Sequence, residues 1–300
     1  MAPAEFRWAL RGEEFEDPRF PWHLAALKLP DVWRLATGAG IRVAVLDNGI
    51  APVKGLPGAR LEHYAPDGTL LNDPPLPGDH GTYCASLIAS SHRSCPGMAP
   101  DATVLSFHIA GPDGQPDLDA VEEALEVGCV AASAHVVSCS FLLGRVTSRL
   151  QRAVQLLSQS GVFVVGAAGN SEDTMAAFPE QVQGISAVTA LDRDGELLPD
   201  VRLGEWVDAA APGEALRVPR LSGGWASWSG KTSGAAALTA DAAALALGLC
   251  DSQEELVRLG RALGGLIRST SVPLAPELPF GRLAPLPLVK SAQALLGSLS

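Results

Sequence analysis

The feature that most constrains this chain is a succession of short, almost uninterrupted apolar runs, which from residue 41 onward alternate with segments of helical periodicity. The runs are IRVAVLD (41 to 47), ATVLSFHI (102 to 109), HVVSCSF (135 to 141), GVFVVGAAG (161 to 169) and GISAVTAL (184 to 191). None shows the strict in-and-out alternation of a strand with one wet face. A strand reads this way when both its faces are covered, as in a parallel sheet between two layers of helices. The chain is therefore expected to be α/β, a parallel β-sheet flanked by helices on both faces.

Between the runs, DLDAVEEALEVGCVAASA (117 to 134) repeats apolar residues at helical spacing, with Asp117 or Asp119 placed to cap its start. VTSRLQRAVQLLSQSG (146 to 161) does the same and stops at Gly161, a fitting C-terminal residue. A third helix, beginning near Ser233, is so rich in Ala and Leu that it must be buried. Taken alone, Ser233 reads as its N-cap. Stretches rich in Pro and Gly at 50 to 79, 111 to 116, 211 to 224 and 272 to 287 read as surface loops. With no internal repeat, the expected organisation is an N-terminal arm (1 to 20) that packs against one domain (21 to 300).

Composition excludes several classes of function. Hydrophobic residues make up 47% and charged residues 18%, a balance suited to a compact core rather than to disorder. A net charge of −11 argues against nucleic acid, whose binders concentrate Lys and Arg. The five cysteines (Cys84, Cys95, Cys129, Cys139, Cys250) form no CxxC pair and no ligand spacing with histidine, so they read as reduced, mostly buried residues. His23, His63, His92, His108 and His135 likewise read as structural or solvent-facing. SHRSCPGMAP lacks the carboxylates that a calcium site demands. Neither a metal nor another cofactor is expected. The first residues lack a secretory apolar stretch, and the run Ala235 to Leu249 is too short to span a bilayer. The expectation is a soluble, cytoplasmic chain with no membrane partner.

In an open parallel sheet the functional residues sit where strands end, so the loops after the runs are the places to search. VAVLDNGI ends its strand in Asp47; GDHGTYCASLIAS puts His80 where a loop enters a helix, with Gly81 allowing another backbone to come close; WSGKTSGAAALTADAAAL carries Ser233. Each alone has a plain structural reading as a turn residue, a surface histidine or a cap. Together they follow the chain order Asp, His, Ser of subtilisin, which differs from the chymotrypsin and α/β-hydrolase orders.

These motifs resemble those of the subtilisin-like serine peptidases, the subtilase family. VAVLDNGI is similar to the family's Asp motif, DHGTYCAS to its His motif and TSGAA to its Ser motif. GVFVVGAAGN is similar to the strand that ends in the oxyanion-hole asparagine, here Asn170. GMAPDATVLSF, VVSCSF, FPEQVQGISAVTAL and GRLAPLPLVKSAQALL follow in the family's order, so the resemblance covers about residues 18 to 296. It implies a subtilisin-like fold and a serine endopeptidase that cuts a peptide or protein substrate. In it Ser233 attacks, His80 moves the proton, Asp47 orients His80, and Asn170 stabilises the oxyanion. It also implies a substrate cleft formed by Ser140, Phe141, Leu142 and Leu143, with Ala168, Gly169 and Ala177.

The chain departs from the pattern at several of these positions. Lys231 stands where relatives carry Gly, and is expected to extend its head group into water. Ala237 replaces a Pro beyond the serine. Leu142 and Leu143 stand where relatives have two small residues, and Ala177 where Gly is common. These changes are expected to narrow the cleft and favour a small or medium apolar residue before the scissile bond. The family's long propeptide is not seen before the resemblance begins, which by analogy suggests an intracellular enzyme like those that trim leader peptides from ribosomally made natural products. The alternatives are a catalytically inactive subtilase fold that binds peptides or partner proteins, and a peptide ligase or macrocyclase.

Overall fold

A computed structural model describes residues 20–56, 60–75, 77–170 and 176–298. The expected N-terminal arm, residues 1 to 20, lies outside them apart from its last residue.

In chain order, α1 (Trp22–Ala26) and α2 (Leu29–Val32) lead to β1 (Arg42–Asp47) and β2 (Leu61–Tyr64). Helix α3 (Asp79–Ala89), a small hairpin of β3 (Ser91–His92) and β4 (Cys95–Pro96), and β5 (Thr103–His108) follow. Next come α4 (Leu118–Glu123), a π-helical turn (Ala124–Gly128), α5 (Cys129–Ala131), β6 (Val136–Cys139), α6 (Ser148–Gln159), β7 (Phe163–Ala167) and β8 (Ser186–Leu191). The last third holds β9 (Val207–Pro212), the hairpin of β10 (Leu216–Pro219) and β11 (Trp225–Trp228), α7 (Lys231–Leu247) and α8 (Gln253–Thr270). It closes with β12 (Val272–Pro273), β13 (Gly281–Arg282) and α9 (Pro285–Gly297).

Nine strands form one sheet in the order β12-β13-β9-β8-β7-β6-β1-β5-β2. Every pairing in it is parallel except that of β12 with β13. The apolar runs are continuous because alternate residues enter different cores. Val43 and Val45 of β1 pack with residues of α3, α7, α8 and α9, while Ala44 and Leu46 pack with those of α4, α5 and α6. Both layers of helices expected from the sequence are present.

The caps follow the local chemistry. Asp117 is the N-cap of α4 and accepts a hydrogen bond from the Ala120 N–H at 2.9 Å. Gly161 follows the end of α6 at φ +88°, a left-handed conformation that glycine adopts without a steric penalty. Helix α7 is apolar on every side, and all its residues but Lys231 and Ser233 are buried. A helix without a polar face must be surrounded, and α7 packs on β7, β8, β9 and α3.

The loop expectations need correction. The stretch 50 to 79 contains the edge strand β2, and 211 to 224 contains β10 and the turn into β11. The stretch 272 to 287 holds β12, β13 and the start of α9, whose first residue is Pro285. These strands are two to four residues long, too short for a pattern to stand out among prolines and glycines. Strand β9 is Ala-rich, and its weak β-propensity conceals a position inside the sheet.

The topology fixes where a site can form. From β1 the chain builds β5 and β2 on one side and β6 to β9 on the other, so strand order reverses at β1. Ligands of open parallel sheets bind at that reversal, beyond the C-terminal strand ends. In register, Asp47 lies opposite His108, Leu46 opposite Cys139, and Cys139 opposite Gly166. The residues following β6 and β7 therefore emerge beside Asp47.

Candidate active site

Asp47 is the last residue of β1 and is 7% exposed. Its carboxylate oxygens lie 2.8 and 2.9 Å from Nδ1 of His80, the second residue of α3. The Asn48 N–H also donates to Asp47 Oδ1 at 2.8 Å. With Nδ1 donating to the carboxylate, the neutral imidazole carries its lone pair on Nε2. Burial opposes a charge on His80, but the charge of Asp47 and its hydrogen bond outweigh this and raise the imidazole above the ordinary 6.5.

The start of α3 can approach the turn after β1 because of Gly81. A β-carbon there would lie 2.5 Å from the Gly49 carbonyl oxygen, and the Gly81 N–H instead donates to Asn48 Oδ1 at 3.1 Å. On its other side His80 meets the Trp228 ring edge-to-face, with centroids 5.6 Å apart.

Ser233 is the third residue of α7, not its N-cap, which is Gly230. Its Oγ donates to the Ser140 carbonyl at 3.3 Å, and the Ser140 hydroxyl donates to the Ser233 carbonyl at 3.2 Å. These reciprocal bonds hold the first turn of α7 against the end of β6. Beyond β7, Gly169 has φ +100°, and its N–H donates to Thr232 Oγ1 at 3.2 Å. The Thr232 hydroxyl in turn reaches Asn170 Oδ1 at 3.5 Å.

Asp47, His80, Asn170 and Ser233 all line one cleft of about 460 Å³, together with Ser140, Phe141, Leu142, Gly169 and Thr232. The loop from Ile109 to Pro116 supplies another part of the lining. Four residues far apart in sequence thus meet at one rim of the sheet. The opening turn of α7 faces that rim, and a helix N-terminus favours negative charge.

Three of the seven residues expected to line the substrate cleft do not. Leu143 is 7% exposed and bridges Phe178, which turns its side chain into the core beneath α4 and α6. Ala177 is buried, and its N–H donates to the Leu143 carbonyl at 2.8 Å. Ala168 is fully buried among Leu191, Val207 and Ala210. Leu142 and Phe141 do line the cleft: the Leu142 methyls lie 2.8 and 3.1 Å from where a β-carbon on Gly169 would sit, and Phe141 stacks on Phe178 with centroids 5.4 Å apart.

Lys231 does not simply extend into water, because its ammonium pairs with Asp200. Thr232 also belongs to the site through its contacts with Gly169 and Asn170, which its place in the TSGAA motif does not announce.

Among the described residues, Asp47, His80 and Cys84 form a group whose potential ligand atoms all lie within 4.8 Å of one another. His80 and Cys84 are one helical turn apart on α3, so the expectation of no ligand spacing between cysteine and histidine needs correction. Burial pushes the Cys84 thiol well above its ordinary value, so without a cation it stays protonated beside the Asp47–His80 pair. His23, His92 and His135 serve the fold. His23 is pushed down to about 3 by burial, His135 Nδ1 accepts from the Arg42 N–H at 3.1 Å, and His92 packs on Trp225.

The known proteins that this chain resembles are serine-type endopeptidases, hydrolases of the peptide bond. Within that class the chain belongs to the Subtilase family, whose sequence model matches residues 38–258. It is 30% identical over 228 residues to Subtilisin BL of Lederbergia lenta, a match that covers 75% of this chain and 83% of that protein. It spans only 53 to 59% of several longer alkaline proteases. Among solved structures, a protease of Pseudoalteromonas arctica matches with a TM-score of 0.77 at 25% identity, over 92% of this chain and 98% of the other. The self-cleaved protease domain of PatA matches with a TM-score of 0.70 at 28% identity, over 87% and 98%. The subtilisin-like fold expected from the motifs is the fold of this chain.

Proposed function

We propose that Asp47, His80, Ser233 and Asn170 are a working catalytic centre, and that the chain is an intracellular endopeptidase that processes peptide or protein precursors. The observation that carries this reading is the bond between Asp47 and His80 Nδ1 on the same cleft as Ser233 and Asn170. A serine hydroxyl is a weak nucleophile at neutral pH, so His80 must take its proton as the oxygen attacks the substrate carbonyl. Asp47 holds the ring in the tautomer that leaves Nε2 basic and stabilises the imidazolium that forms. The Asn170 amide and the Ser233 N–H donate to the oxyanion. His80 then returns the proton to the leaving amine, and water releases the acyl group by the same steps.

The Ser233 hydroxyl rests on the Ser140 carbonyl at 3.3 Å, a long contact. Rotation about its Cα–Cβ bond redirects it, and hydrogen bonds at such centres commonly tighten only once substrate is bound. That resting bond is also the observation that favours the second reading, a peptide-binding subtilase fold without catalysis. The processing role draws support from PatA, whose protease domain is described as self-cleaved. Removal of a leader from a ribosomally made precursor is the substrate class proposed.

Leu142 and Phe141 supply the selectivity: a wall already filled by a leucine leaves room for a small or medium apolar residue before the scissile bond. A peptide library digested by the purified chain and read by mass spectrometry tests both points. Ala, Val or Leu should lead at that position, and Ser233→Ala should cut nothing. Leu142→Ala should admit Phe, raising kcat/KM for a Phe peptide about 10-fold, the order of a cavity difference of one or two methylenes. A profile led by Arg, Lys or Phe sinks the selectivity claim, and no cleavage in any sequence sinks the enzyme reading.

A further inference from the structure

Two residues before Ser233 the backbone turns left-handed, at Lys231 with φ +44°. A β-carbon is disfavoured there and glycine is the residue best suited to it. Such strain persists when the surroundings over-determine it, and strained residues cluster where geometry matters to function. Both its backbone and its side chain hold Lys231 in place. Its N–H donates to the Gly213 carbonyl at 2.8 Å. Its own carbonyl oxygen packs so closely that a β-carbon on Gly213 would come within 2.6 Å. Its ammonium forms an ion pair with Asp200, and that hydrogen bond and charge hold the Asp200 carboxyl below the usual carboxylate range.

Asp200 is not an arbitrary partner. The next residue, Val201, bridges Asn170 in antiparallel fashion, and the Arg202 N–H donates to the Gly169 carbonyl at 2.9 Å. Gly169 and Asn170 in turn contact Thr232, which lies between Lys231 and Ser233. The pair therefore closes a ring of contacts that runs from the start of α7 through Asp200 and the 200 to 202 segment to Asn170, and back to α7 through Thr232. A glycine at position 231 would satisfy the backbone but leave this ring open.

We propose that the Lys231–Asp200 ion pair is a positioning device that sets the spacing between Asn170 and Ser233, and through it kcat. The inference rests on reading those two residues as oxyanion donor and nucleophile. Neither member of the pair lines the cleft, so the device acts through the residues it ties together and leaves substrate binding alone. Both side chains are partly exposed. Exposed pairs contribute little to global stability and are screened by salt. The signature of the device is thus a loss in kcat without a matching loss in KM or in melting temperature.

The test uses the full chain as wild type, Lys231→Gln, Asp200→Asn, the double variant and Lys231→Arg, with kcat, KM and thermal unfolding measured on one peptide. Lys231→Gln and Asp200→Asn should each lower kcat about 3- to 10-fold with KM within about twofold, a fraction of the loss expected from deleting an oxyanion donor outright. The double variant should lose no more than either single one, because both remove the same contact. Lys231→Arg should retain the wild-type kcat. Raising NaCl to about 1 M should depress the wild-type kcat towards that of the variants and leave theirs unchanged. Equal kcat in the wild type and the charge-free variants overturns the inference alone, as does an additive loss in the double variant. A wild-type chain that hydrolyses no peptide overturns the reading of the site as well.

Discussion

Asp47 and His80 make a joint demand on pH. His80 must be neutral to accept the serine proton, and Asp47 raises its pKa above 6.5 despite burial. Activity should therefore fall as pH drops through a value above 6.5, seen as the acid limb of kcat/KM. Asp47→Asn removes the charge that raises His80, so the limb should move to lower pH. The plateau rate should drop by about 10⁴, since the ring loses its correct tautomer. A limb that stays in place would separate Asp47 from the titration. Asn170→Ala should lower kcat by about 10² to 10³ with little change in KM, as expected for a donor that binds chiefly the oxyanion. Steady-state kinetics on one peptide check both. These four residues were legible in the sequence because each lies in a local motif at a strand or helix end. The cleft wall was less so. Leu143 and Ala177 turn inward through a bridge between Leu143 and Phe178, a pairing across 35 residues that no local pattern announces.

The central helix α7 carries a cost of its own. Asp241 is fully buried, neither carboxylate oxygen has a hydrogen-bond partner among the described residues, and burial pushes its carboxyl well above the ordinary value. The folded chain keeps this proton while the unfolded chain releases it above about pH 4. The contribution to stability is therefore complete below the unfolded pKa and is lost as pH rises towards the folded one. Asp241→Ala should flatten that slope and raise stability at pH 8 more than at pH 5. Urea unfolding at the two pH values checks this, and parallel curves for the two chains would contradict it. Elements were legible in proportion to their pattern. The five read strands are long apolar runs, whereas β2 (LEHY) is a short edge strand with two polar residues. Helix α8 repeats Leu256, Leu259, Leu263 and Ile267 at helical spacing, but Gly260, Gly264 and Gly265 interrupt its propensity. Gly260 is explained only by packing, since a β-carbon there would lie 1.8 Å from the Gly161 carbonyl oxygen.

Across the whole molecule, one parallel sheet brings distant segments to a single rim. Asp47 comes from a strand end, His80 and Ser233 from the first turns of two helices, and Asn170 from the loop after β7. The alternation of apolar runs with helical segments already dictated the layers, and the reversal at β1 dictated the side on which a site had to form. Which departures from the family pattern matter was not legible, because Lys231 finds Asp200 only once β7, the 200 to 202 segment and α7 are assembled. Among the described residues no helix is long and apolar enough to cross a membrane. The claim that the assembled rim activates Ser233 is open to a direct measurement: intact-mass analysis after exposure of the native chain to a fluorophosphonate. The account predicts one adduct per chain, on Ser233, absent in Ser233→Ala and formed far more slowly in His80→Ala. An unmodified wild-type chain, or an adduct that survives Ser233→Ala, would contradict it.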